Sequence, residues 1–238
     1  MNKIYLQLEF GSGKFYSYSK EEMEGYSKHT SSKGNVSYRR YYDRVEGELD
    51  SVSVVKTKFG EVLDFTFIYE DNIIHCPYQL YDQRGHISLF GEAAIKYLSN
   101  LEIGKYYVMT PYNFKPKDSN YSKIGISFKL HGESVEQGLT NSYYKDGKLV
   151  KGDIPAIEWV EKRGKNMPDM ASLEKKTDFL YDIIQKNIDR LKSTSTYESR
   201  ISIPGKFTST TKPVEKKEEI KTKEPEVAME DDDDELPF

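Results

Sequence analysis

The tightest constraint on the fold is a change of hydrophobic period within residues 45–130. Residues 45–57 read as one long strand, and the turn at 58–61 leads into a second at 62–69. Glu70, Asp71 and Asn72 make another turn before a third strand at 73–80. Three such runs joined by short polar turns predict an antiparallel meander. The period then switches, because Leu89, Ala93, Tyr97 and Leu101 recur four apart and share one face of a helix over 88–101. After Gly104 come two more strands, 105–114 and 122–130, separated by the basic loop 115–120. The last alternates cleanly: Ile124, Ile126, Phe128 and Leu130 take one face, leaving Ser127, Lys129 and His131 on the other.

Three strands, a helix and two strands is the element order of the oligonucleotide-binding fold. By that resemblance the chain is expected to be mainly β, an OB-fold-like five-stranded barrel with a helix between its third and fourth strands. A short strand at 4–10 precedes it, and the polar stretch 17–37 reads as a mobile loop. Beyond the barrel, 143–150 predicts an additional hairpin turning at Asp146 and Gly147. Residues 154–160 hold the only Trp and read as a docking segment. A C-terminal amphipathic helix spans 171–192, its stripe formed by Leu173, Thr177, Leu180, Ile184, Ile188 and Leu191. That stripe is expected to pack on its own domain, with a homodimer as the alternative.

Apolar periodicity stops after Gly205. The chain therefore divides into a domain at 1–204, a disordered linker at 205–229 rich in Lys, Glu, Thr and Pro, and an acidic tip at 230–238. The acidity belongs to the end of the chain. Of 35 basic and 39 acidic residues, six and eleven lie beyond residue 204, leaving 29 and 28 upstream. The single Cys76 excludes an internal disulfide and points to a reducing compartment. With no N-terminal apolar signal and no long apolar run, a cytoplasmic protein without membrane contact is expected.

Enzymatic chemistry finds little footing. Glu46, Glu48 and Asp50 resemble a carboxylate set for a metal, but alternate acids on a strand usually mark its solvated side. Cys76, His29, His75, His86 and His131 lack the paired spacing of a zinc site. There is no phosphate-cradling Gly-rich loop with its Lys and no nucleophile elbow. His75 beside Cys76 reads as packing. No catalysis, cofactor or metal is expected, and a carboxylate-metal nuclease is the enzymatic rival.

The tip reads Glu230-Asp231-Asp232-Asp233-Asp234-Glu235-Leu236-Pro237-Phe238. Six like charges cannot bury anything, so the tip must be solvated, while a terminal Phe suits capture by a pocket. Acidic run, Leu-Pro and terminal Phe together resemble the C-terminal tip of bacterial-type single-stranded-DNA-binding proteins. The body looks like a divergent bacteriophage version of that family. The resemblance implies that the tip recruits replication, recombination and repair proteins through Asp231, Asp232, Asp233, Asp234, Leu236, Pro237 and Phe238. If phage-encoded, the protein would work in the host cytoplasm.

A sequence-tolerant binder of single strands needs cations along a groove and rings on which bases stack. The chain has 19 Tyr, many beside Lys or Arg. The candidate DNA-binding residues are Arg39, Arg40, Tyr41, Tyr42, Lys56, Lys58, Tyr78, Tyr81, Arg84, Lys105, Tyr107, Tyr112, Lys115, Lys117, Lys123 and Lys129. Tyr107 is preferred to Tyr106 because it shares parity with Lys105, whereas Tyr106 shares parity with Val108. The expected function is to coat and protect single-stranded DNA without strong sequence preference. RNA binding, strand annealing and a pure interaction adaptor are the alternatives.

Overall fold

The computed structural model of the chain describes residues 1–193 apart from 59, 83, 118–121 and 163. The expected linker and acidic tip lie outside the described residues. What is described is mainly β. The chain opens with β1 (Asn2–Tyr5) and crosses to a four-stranded sheet of β2 (Gln7–Glu9), β3 (Lys14–Ser19), β4 (Ser27–Thr30) and β5 (Val36–Tyr42), ordered β2-β3-β5-β4. The meander follows as β6 (Val45–Thr57), β7 (Gly60–Tyr69) and β8 (Asn72–Gln79). Then come α1 (Leu89–Ile95), a single 3-10 turn at Leu98–Asn100, β9 (Tyr106–Phe114), β10 (Lys123–Leu130) and the short β11 (Glu133–Ser134). The main sheet runs β1-β8-β7-β6-β9-β10-β11.

Two expectations change here. The strand expected at 4–10 breaks at Leu6, whose side chain is buried in the core, so β1 joins one sheet and β2 the other. The polar stretch 17–37, expected as a loop, instead holds β4, the end of β3 and the start of β5. Its rings anchor it: Tyr26 and Tyr42 both reach the buried Ser17 hydroxyl, at 2.9 and 3.4 Å. A composition rich in Ser and Lys masked this alternation.

The five expected barrel strands pair in the order β8-β7-β6-β9-β10, but no ladder among the described residues joins β8 to β10. The sheet is therefore open. The free edge of β8 is taken by β1, in parallel register from Asn2 opposite Asn72 to Tyr5 opposite His75. At the opening lies α1, packed against both β8 and β10. Ser88 pins its start: the hydroxyl donates to the Gln79 carbonyl at 2.6 Å and accepts from the Gly91 N–H at 3.0 Å.

The core is a run of rings from both sheets. Phe15 meets Tyr78 with centroids 5.8 Å apart, Tyr78 meets Phe65 at 5.7 Å, and Phe65 meets Phe128 at 5.6 Å. Tyr97 and Tyr107 complete it on Phe128, at 5.2 and 6.3 Å. Such edge and tilted contacts add about 0.5–1.5 kcal/mol per pair beyond area burial.

Beyond β11 the expected hairpin forms as β12 (Tyr143–Lys145) and β13 (Lys148–Val150), with Asp146 and Gly147 both at positive φ in its turn. Of the docking segment 154–160, Ile154 is buried in the core, while Trp159 and Val160 open a second hairpin, β14 (Trp159–Lys162) and β15 (Lys165–Pro168), with Trp159 exposed. The long α2 (Met170–Ser193) buries Leu180, Ile184, Ile188 and Leu191 in the common core, so its stripe is spent on its own body. Arg190 fastens it, donating to the Leu98 and Leu101 carbonyls at 2.6 and 2.9 Å.

Glu92 of α1 is the electrostatic joint of these parts. Its carboxylate meets Lys96 at 3.0 Å, Lys176 of α2 at 2.7 Å and the Asn141 amide at 2.9 Å. Burial by itself would raise its pKa; attraction to Lys176 and then Lys96 outweighs this and holds it at about 2. A carboxyl depressed in the folded state stabilises above its unfolded pKa, and the contribution fades as pH falls from about 4.5 to about 2. The full contribution is on the order of 3 kcal/mol. Urea melts of the wild type are therefore expected to weaken across that pH window. Glu92→Gln should flatten that dependence and lower stability at pH 7.

Candidate nucleic-acid interface

Cross-strand register decides which rings face outward. On β9 and β10 the inward row is Tyr107, Met109 and Pro111 against Leu130, Phe128 and Ile126. The outward row is Val108, Thr110, Tyr112 and Phe114 against Lys129, Ser127, Gly125 and Lys123. The outer face of this pair therefore brings together three of the expected residues, Tyr112, Lys123 and Lys129. Lys115 and Lys117 are exposed in the loop that continues from β9. Phe114 is 51% exposed and sits 5.8 Å from the Tyr112 ring.

Gly125 makes this surface flat. A Cβ there would collide with the Tyr112 hydroxyl oxygen and lie 2.6 Å from its ring carbon, so only glycine lets the ring lie across β10. Burial raises the Tyr112 phenol pKa, with Tyr97 adding to it, so the group stays neutral at ordinary pH. Tyr106 stands at the other end of β9, 43% exposed, opposite Glu48. Its phenol is raised by desolvation and then by Glu46 and Tyr69. The strip thus runs from an acidic end at Glu46 and Glu48 to a basic end at Lys115, Lys117 and Lys123.

Three candidates are placed inside and cannot meet DNA. Tyr78 has no exposed surface and packs between Phe15 and Phe65. Tyr107 is 1% exposed and its hydroxyl accepts the Glu102 N–H at 3.0 Å. Arg39 is buried over the Tyr16 ring at 4.3 Å and paired with Glu9 at 3.1 Å, so its charge is neutralised within the second sheet. Tyr41 closes this group, donating to the same Glu9 oxygen at 3.0 Å.

The remaining candidates are at the surface but apart from the strip. Arg40 is exposed, its guanidinium 5.5 Å from the half-buried Tyr42 ring on β5. Lys56 and Lys58 are exposed at the β6–β7 turn. Tyr81 is half-buried against the core, its phenol raised by burial and then by Glu61 and Tyr181. Arg84 is exposed in the following loop, held by its backbone N–H on Asp82 at 2.9 Å. Lys105 is exposed just before β9.

Sequence reasoning chose Tyr107 over Tyr106, and the register reverses that choice. Val108 lies between Glu46 and Lys129, an outward row, whereas Tyr107 lies between Gly47 and Leu130 and is buried. The row that decides this is a cross-strand register, which parity along one strand does not contain. Among the described residues no three His, Cys, Asp or Glu are gathered as a metal ion requires. Cys76 is fully buried, and burial pushes its thiol well up, away from the reactive thiolate. Among the described residues no helix is long and apolar enough to cross a membrane. Comparison of the chain with protein-family models, curated proteins and solved structures finds no match.

Proposed function

We propose that the body binds single-stranded DNA with little sequence preference and that the acidic tip recruits replication, recombination and repair proteins. The observation that carries the first half is the outer strip of β9 and β10, where Tyr112, Phe114, Lys123 and Lys129 share one face next to Lys115 and Lys117. Rings for bases beside cations for phosphates, without a set of fixed hydrogen-bonding groups, is the recipe for sequence-tolerant binding. The second half rests on the sequence of the tip alone.

The fold reading that accompanies this is an OB-type body. Four of the five ladders of such a barrel are present, β8-β7, β7-β6, β6-β9 and β9-β10, and α1 lies between the strands that would close it. In this version β1 and α1 occupy the seam in place of a direct ladder.

Titration of the full chain with a fluorescein-labelled oligothymidylate, followed by anisotropy across a salt series, tests the binding. Affinity should fall steeply with salt, with a slope of about −0.7 per phosphate neutralised. A salt-independent or absent signal would sink the reading and favour an interaction adaptor. Tighter binding to the matching oligouridylate would favour an RNA-binding protein instead.

A further inference from the structure

A second cluster lies on the outer faces of β7 and β8, away from the residues expected from sequence. Tyr5, the last residue of the edge strand β1, is the register partner of His75. Their rings are stacked, with centroids 4.7 Å apart and planes within 8°. His75 is held from behind: Nδ1 lies 2.8 Å from Asp64 Oδ2, and the Thr66 hydroxyl lies 3.3 Å from both atoms. A carboxylate only accepts, so Nδ1 carries the proton and donates. An imidazole on a sheet face would ordinarily turn freely, and here it is fixed.

One feature asks for something from outside. Tyr5 is 54% exposed, and on an edge strand the ring face turned away from His75 has no further strand beside it among the described residues. A ring that served only to cover the sheet edge would be buried, not half out. Asp64, 7% exposed, lies on the other side of His75 from that open face, so it fixes the imidazole and does not meet what the face receives.

We propose that Tyr5 is a nucleobase-stacking residue, with an unpaired base laid on its open face so that base, Tyr5 and His75 form one column. Lys3 lies two residues away on the same face of β1, about 7 Å along the strand, and meets the adjoining phosphate. Asp64 is a positioning residue that acts through His75. This assignment rests on the single-stranded-DNA reading and adds a place on the body where a base is held.

The full chain and a fluorescein-labelled oligothymidylate provide the test. Tyr5→Ala should weaken binding about 5- to 150-fold, the range equivalent to about 1–3 kcal/mol for one stacked base, while Tyr5→Phe retains it. Irradiating the complex with a 5-iodouracil oligonucleotide should attach the strand to Tyr5, a readout independent of any variant's folding. Asp64→Ala should lower that yield, and Asp64→Asn, whose amide oxygen still accepts from Nδ1, should restore it. Wild type that binds DNA while Tyr5→Ala binds equally well and no attachment maps to Tyr5 overturns this assignment alone. Wild type that binds no oligonucleotide overturns the functional reading and this assignment together.

Discussion

Replacing Lys115, Lys123 and Lys129 together by Ala is expected to weaken binding to single-stranded DNA about 500-fold at about 50 mM salt and about 30-fold at about 200 mM. The size follows from counterion release. Each lysine that neutralises a phosphate returns a bound cation to solution, contributing about 0.7 to the slope of log affinity against log salt for a single strand. Three such contacts account for about 2 of that slope, and the variant's line should be shallower by that amount. All three side chains are exposed, and none supports the core, so the thermal melt should move little. A control triple variant at Lys145, Lys148 and Lys151, exposed in and beside the β12–β13 hairpin, should keep the full slope. Equal losses in the two variants would mean that general charge, not the β9–β10 strip, carries the binding.

The comparison of strip and hairpin shows what the sequence can and cannot disclose. Element order was legible because each strand carries its own alternation: β6, β7, β8, β9 and β10 fall where residues 45–130 predict them. The helix expected over 88–101 is shorter, α1 ending at Ile95 before the 3-10 turn and Leu89 lying exposed. The long α2 was legible from its apolar stripe. What was not legible is long-range. Nothing local to residues 2–5 says that they will pair in parallel with β8 and take the edge a closed barrel would use. The Arg39 pair is similar: Arg39 and Glu9 are 30 residues apart, and only the β2-β3-β5 register brings them together. A guanidinium expected on phosphate is consumed by a carboxylate that the local sequence does not show. The Tyr5–His75 stack was missed by the same logic, since His75 reads as packing until Asp64 and Tyr5 are placed around it.

Tyr106 and Tyr107 put the distinction between core rings and binding rings to a direct test, because they are adjacent and face opposite ways. Tyr107→Ala is expected to destabilise the body by about 3–5 kcal/mol, the usual cost of truncating a large buried aromatic. Its ring abuts Phe128 at 6.3 Å and is 1% exposed, so its removal leaves a void in the core. Tyr107→Phe keeps the ring and loses only the hydroxyl that accepts from Glu102, so it should cost about 1 kcal/mol. Tyr106→Ala removes a ring that is 43% exposed and should stay within about 1 kcal/mol of wild type. Urea melts monitored by far-UV circular dichroism measure all three, with midpoints compared at constant slope. If Tyr106→Ala proved the more destabilising, the outward assignment of the Val108 row would be wrong, and with it the placement of Tyr112, Lys123 and Lys129 on one binding face. Stability of the adjacent pair therefore tests the interface without any DNA in the tube.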